Sequence, residues 1–273
     1  MYLETVDKFA EIAVKKRDFL RAAPLGFFIS AMMAGVYVGI GIILIFTLGA
    51  DVDPAYRKLV MGACFGIALT LVIFAGSDLF TGLTMIMPQG ALRRLTGWGD
   101  LAKVWAMSWL GNLAGSVGLA LIFMWAGGGA LLYGKSTLLF DIAAVKMNAT
   151  PVALVARGLL CNWLVCLAVW MSVRMTSDAA KCIGIWWCLF AFIACGFDHS
   201  VANMTLLTLA LLGNHPDTVS LGGMAYNLFW VTLGNTISGA VFMGGAYWFV
   251  SRPGRAAAAI APSASVIRIP AGE

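Results

Sequence analysis

The sequence predicts an all-α integral membrane protein on three observations. Of its 273 residues 61% are hydrophobic, only 11% are charged, and the apolar residues gather in six long runs. Globular domains carry about 25% charged residues, so a water-soluble fold is excluded. A membrane-crossing helix needs about 20 apolar residues, and runs at 24–48, 59–79, 102–125, 152–173, 183–212 and 225–250 meet that length. Residues 24–250 are therefore expected to form one six-span membrane domain.

Residues 1–23 carry Lys8, Lys15, Lys16, Arg17 and Arg21 among acids and lack the apolar core of a cleaved signal peptide. They are expected to form an amphipathic cytoplasmic helix against the bilayer. Residues 251–273 are expected to be a flexible cytoplasmic tail. With six spans both termini share a side, and that side collects 13 of the 18 lysines and arginines. The bias places both termini in the cytoplasm. The formal charge of +5 is thus a topology signal, not a nucleic-acid footprint. The six cysteines form no CxxC pair and sit mostly in apolar runs, the pattern of free buried thiols.

The two halves echo each other. Gly26 opens the first run and Gly158 the fourth, 132 residues later. Gly76-Ser-Asp-Leu-Phe-Thr81 closes the second run, and Gly196-Phe-Asp-His-Ser200 interrupts the fifth at an offset of 120. Gly111-Asn112 in the third run returns as Gly234-Asn235 in the sixth at an offset of 123. Three spans per half is an odd number, so the repeats are expected to be inverted in the membrane. Inverted repeats with interrupted helices place a pathway near the midplane.

Polar residues within apolar runs are the candidates for chemistry: Asp78, Thr81, Asn162, Asp198, His199, Asn203 and Asn235. His199 is the foremost. An imidazole inside a membrane break is costly unless it faces protein or water, and it can give an anion a hydrogen bond or a proton. Asp198 is expected either to orient that ring or to stand apart from it. Lys146 reads from its position alone as a solvated loop lysine outside the membrane, and His215 as a loop histidine in Gly213-Asn-His-Pro-Asp217. Phe65, Leu69, Leu79 and Phe192 lie on the two broken runs, where apolar side chains either pack or form constrictions that resist hydrated ions. A haem or metal site lacks the histidine and cysteine spacing it needs, so no cofactor is expected and a redox subunit is excluded.

Three strings carry a family resemblance: Gly76-Ser-Asp-Leu-Phe-Thr81, Gly158-Leu-Leu-Cys-Asn-Trp-Leu-Val-Cys-Leu-Ala168 and Gly196-Phe-Asp-His-Ser-Val-Ala-Asn-Met204. In them the chain resembles the formate/nitrite transporter family over roughly residues 8–250, most of all its bacterial nitrite channel branch. The resemblance implies an aquaporin-like protomer in a homopentamer of the bacterial inner membrane, with one anion pore per subunit. It implies a selectivity position at His199 with Thr81 and Asn162 nearby, and a polar partner at Asn235. It also turns Lys146 from a loop lysine into the family's outer lysine. Its constrictions correspond to Phe65, Leu69 and Phe192 on the outer side, and to Leu79, Phe80 and Val165 toward the cytoplasm. One departure stands out: the family usually carries Glu before the histidine, and here Asp198 is one methylene shorter.

The activity this implies is pH-dependent passage of nitrite, or of formate or a related small monoanion, with or without a proton. It involves no enzymatic chemistry. The alternative is an aquaporin-like pore for small neutral solutes, against which the chain offers no Asn-Pro-Ala box.

Overall fold

The basic N-terminal segment folds as α1 (Leu3–Ala22), with Val6, Phe9, Ala10 and Ala13 buried along one stripe. That spacing is one helix face, and it rests on protein. Phe9 stacks on Trp170 with ring centroids 5.4 Å apart. Arg93 reaches Asp7 at 2.5 Å and Arg21 reaches Asp100 at 2.7 Å, tying α1 to the segment 93–100. This is a computed structural model describing residues 2–252, and no strand occurs among the described residues. The expected tail beyond Arg252 lies outside them.

Pro24 occupies the first turn of α2 (Pro24–Asp51), where a missing N–H costs nothing. After it come α3 (Arg57–Cys64), α4 (Gly66–Ala75), α5 (Phe80–Leu92) and α6 (Trp98–Trp125). Two short helices are next, α7 (Gly129–Tyr133) and α8 (Leu138–Met147). Thr150 caps α9 (Pro151–Arg174) by accepting the Ala153 N–H, with Pro151 at its first position. The chain continues through α10 (Asp178–Ala194), α11 (Ser200–Leu212) and α12 (Leu221–Ile237). A π-helical stretch, Ser238–Gly245, leads from α12 into α13 (Ala246–Ser251).

Five helical stretches are long and apolar enough to cross a bilayer: Pro24–Asp51, Arg57–Ala75, Trp98–Trp125, Pro151–Arg174 and Leu221–Ser251. The protein is a multi-pass membrane protein. The run at 183–212 is two helices of 17 and 13 residues, with the chain between them at Cys195–His199, where the sequence places an interruption.

A difference lies at 80–92, which falls outside the six apolar runs read from the sequence. It is helix α5, with every residue from Phe80 to Ala91 buried. Thr, Gly, Pro and Gln lower its hydropathy, and protein rather than lipid surrounds it. α11 is its counterpart, also of 13 residues and buried from Ser200 to Ala210.

Close helix contact holds these half-helices in place. A Cβ on Gly115 of α6 would lie 2.0 Å from the Met32 carbonyl oxygen of α2. One on Gly234 of α12 would lie 2.3 Å from the Val155 carbonyl oxygen of α9. Only glycine permits either approach.

Candidate permeation site

Two breaks of matching design build the site. Gly76 ends α4 at φ +78°, and Gly196 follows α10 at φ +73°. Glycine adopts this left-handed conformation without steric cost. Each break then runs extended into a buried helix, through Leu79 to α5 and through His199 to α11.

A helix start inside a membrane exposes N–H groups that hydrocarbon cannot satisfy. Here an asparagine of a neighbouring long helix meets each one. Asn112 Oδ1 accepts the Phe80 N–H at 2.9 Å, while its amide donates to the carbonyls of Ala31 at 2.7 Å and Asp78 at 3.0 Å. Asn235 Oδ1 accepts the Ser200 N–H at 2.9 Å, and its amide donates to Gly158 at 2.7 Å and Asp198 at 3.1 Å. Both asparagines are fully buried.

Each break carries a buried aspartate with a lysine beside it. Asp78 pairs with Lys16 of α1 at 2.7 Å and accepts the Ser30 hydroxyl at 2.7 Å. Asp198 pairs with Lys146 and accepts the Asn203 amide at 3.0 Å, and Arg157 approaches its other oxygen at 4.0 Å. Lys146 is therefore no loop residue. It sits on α8, whose preceding run of apolar residues packs the helix inward. The Asp198 carboxylate engages Lys146 and Asn203, so it does not orient the imidazole. Neighbours in sequence point apart along an extended backbone.

His199 is oriented by its own helix instead. As the cap residue of α11 it accepts the Ala202 N–H on Nδ1 at 3.1 Å. A nitrogen that accepts carries no proton, so the neutral ring bears its proton on Nε2. That Nε2–H donates to Thr81 Oγ1 at 2.9 Å, bridging the two breaks. Phe192 stacks over the ring at 6.1 Å between centroids.

Asn162 closes the polar cluster below Thr81. Its amide reaches Thr84 Oγ1 at 2.9 Å, the Asn235 carbonyl at 2.6 Å and the Thr81 carbonyl at 3.3 Å. Its Oδ1 is buried with no partner among the described residues. Around this cluster Phe65, Leu69, Leu79, Phe80, Val165 and Phe192 are all buried in one continuous apolar cluster. Phe65 and Phe192 meet edge to face at 5.4 Å. A cavity of about 200 Å³ touches Leu69, Leu79, Asp78 and Lys16 on the α1 side. His215 lies apart, exposed in its loop. All six cysteines are free thiols, with Cys161, Cys166 and Cys188 buried and Cys195 exposed.

A model of the formate/nitrite transporter family matches residues 3–249. The chain belongs to the formate/nitrite transporter family. It is 52% identical to the nitrite transporter NirC of Escherichia coli strain K12 over 251 residues, covering 92% of this chain and 93% of that protein. Its fold matches a solved FNT family ion channel with a TM-score of 0.89 at 51% identity, over 91% of this chain and 99% of that one. It also matches a pentameric formate channel with formate bound, at a TM-score of 0.72 and 28% identity, over 84% and 98% of the two chains.

Within this family member, three residues at the breaks escaped the reading of the sequence: Lys16, Ser30 and Asn112. Lys16 was legible in principle, because it continues the buried stripe of α1 at Phe9 and Ala13 with helical spacing. Asn112 was visible only as the echo of Asn235, with no hint that it caps a helix start.

Proposed function

We propose that this protein passes nitrite, and related small monovalent anions such as formate, through a pore within each protomer. The reading takes residues 24–250 as a single six-span domain of two inverted three-helix repeats, with the second and fifth spans interrupted and an aquaporin-like arrangement. It places the protein in the bacterial inner membrane as a homopentamer with both termini cytoplasmic. The paired breaks, their asparagine caps and their aspartate–lysine pairs support the inverted repeat. Membership of the family, and likeness to a pentameric channel, support the assembly and the substrate class.

The observation that carries the reading is the His199–Thr81 bridge between the two breaks. A small anion stripped of water in an apolar constriction loses several kcal/mol of hydration. Lys146, part-exposed on α8, draws the anion toward one side of the constriction. At the centre the anion displaces the Thr81 hydroxyl and accepts the His199 Nε2–H, while Thr81 and the Asn162 cluster supply further polar contact. A neutral imidazole offers a hydrogen bond without trapping the anion as an ion pair. Protonating Nδ1 sets two donors against each other at the Ala202 N–H. The charged ring therefore requires the α11 cap to open, which makes passage sensitive to pH.

Nitrite flux into proteoliposomes carrying His199→Phe tests this assignment. Flux should fall and lose its pH dependence. Wild-type flux with unchanged pH dependence would overturn the role of the histidine. Glycerol-driven shrinkage of the same vesicles separates the neutral-solute alternative, which predicts rapid glycerol entry.

A further inference from the structure

A cleft of about 710 Å³ lies at the α1 end of the molecule, between the turn after α5 and the end of α13. Arg93, Arg94, Trp98, Trp248 and Arg252 line it, with no carboxylate among the lining residues. Arg93 is already paired with Asp7. Arg94 and Arg252 have no acidic partner among the described residues, and the Arg252 guanidinium rests 4.5 Å above the Trp248 ring.

Arg94 carries a second signal. Its φ of +61° is the only left-handed value at a non-glycine among the described residues. It occupies the turn that ends α5, where Leu95 N–H returns to the Gly90 carbonyl at 2.9 Å. Glycine or asparagine is the usual occupant of such a turn. An arginine held there against its backbone preference places a guanidinium at the cleft, a cost that points to a role outside the fold.

The surroundings identify the ligand chemistry. Trp98 in the cleft lining is 63% exposed, and Leu95 and Phe249, which adjoin the lining residues Arg94 and Trp248 in the chain, are 48% and 69% exposed. Indole rings favour the headgroup level of a bilayer. Guanidinium forks match phosphate oxygens.

We propose that this cleft is a binding site for the phosphate of an anionic phospholipid headgroup, held between Arg94 and Arg252. Trp98 and Trp248 flank the glycerol region, and Leu95 and Phe249 lie along the acyl chains. Soluble phosphate shares the headgroup chemistry but has no use for that apolar rim.

The test is native mass spectrometry of the full chain in detergent with equal dioleoyl-phosphatidylglycerol and dioleoyl-phosphatidylcholine. Each arginine near an anionic lipid contributes about fivefold in binding. Wild type should therefore retain phosphatidylglycerol at least about fivefold over phosphatidylcholine. Arg94→Gly with Arg252→Gln should bring the two lipids close to parity. Arg94→Gly alone suits the left-handed turn, so it should weaken phosphatidylglycerol binding while melting at or above the wild-type temperature. That separates lost binding from lost folding. Equal retention of both lipids by wild type, or an unchanged preference in the double variant, overturns the site. Displacement of phosphatidylglycerol by excess inorganic phosphate also overturns it, assigning the cleft to a soluble anion.

Discussion

Leu79 and His199 are the same structural position in the two breaks. Each is the last extended residue before a buried half-helix, with φ, ψ of −89°, 120° for Leu79 and −106°, 119° for His199. The helix start after each is met by the side chain of one asparagine, Asn112 or Asn235. Leucine fills one position with hydrocarbon. Histidine fills the other with a side chain that caps its own helix on one nitrogen and reaches across the breaks with the other.

Those two duties separate by mutation. Asparagine is a good cap acceptor, but its side chain is too short to replace the Nε2 contact with Thr81. His199→Asn should therefore keep thermal stability while nitrite flux falls by roughly tenfold or more, since a hydrogen bond to an ion is worth about 1.5–3 kcal/mol. His199→Leu should lose flux and also about 1 kcal/mol of stability from the missing cap. Melting in detergent together with proteoliposome flux measures both. Wild-type flux in His199→Asn rules the donor role out.

The aspartate–lysine pairs predict an asymmetry between single and double changes. Removing one partner of a buried pair leaves the other charge uncompensated, typically at about 3 kcal/mol or more. Lys146→Met should destabilise by about that amount, moderated by Arg157 at 4.0 Å from Asp198. Lys146→Met with Asp198→Asn should recover most of the loss, because the asparagine can still accept from Asn203. The same contrast should hold for Lys16→Met and Asp78 on the opposite break. A double variant no more stable than Lys146→Met contradicts the pairing.

Hydrophobicity contrast decides which parts of the site are legible in the sequence. Gly196, Asp198, His199 and Asn203 interrupt an otherwise apolar run, so that break stands out, and the shared order of Gly76–Thr81 marks its twin. α5 does not stand out, because Thr81, Thr84, Pro88 and Gln89 make it look like a loop when burial is by protein. The reach of α1 is hidden for a related reason. Lys16 on a basic amphipathic helix reads as solvated, and nothing local announces that its partner is Asp78, 62 positions on. Likewise the choice of Lys146 over His199 as the partner of Asp198 is set by backbone direction in the break, which composition does not encode.

The asparagine caps should be equivalent in stability although only one lies behind the histidine. Asn112→Ala strips a partner from the Phe80 N–H and from the carbonyls of Ala31 and Asp78. Asn235→Ala does the same to Ser200, Gly158 and Asp198. The Ala31 and Gly158 carbonyls keep their helical partners, so two groups per variant, the helix-start N–H and the aspartate carbonyl, are left unsatisfied. At about 1–3 kcal/mol each, both variants should lose at least about 2 kcal/mol. Denaturation followed by tryptophan fluorescence would show it. A near-neutral Asn112→Ala means that the α5 start finds another partner.

Glycine substitutions should divide into two classes by mechanism. At Gly196 an added Cβ meets nothing within 4 Å, so Gly196→Ala carries only the left-handed backbone cost. That is about 1–2 kcal/mol, and Gly76→Ala, also in open space, should match it. Gly115 has ordinary helical geometry but no room, with the Met32 carbonyl oxygen 2.0 Å from a built Cβ. Gly115→Ala must push α6 off α2, and the displacement reaches Asn112, the cap of α5, one turn away on the same helix. It should therefore lower stability more than Gly196→Ala and reduce nitrite flux as well, whereas Gly196→Ala should spare flux once the protein is folded. Parallel melting and flux measurements on the three variants decide the matter. Equal flux in Gly115→Ala and Gly196→Ala would mean that the α2–α6 contact supports the fold without setting the geometry of the breaks.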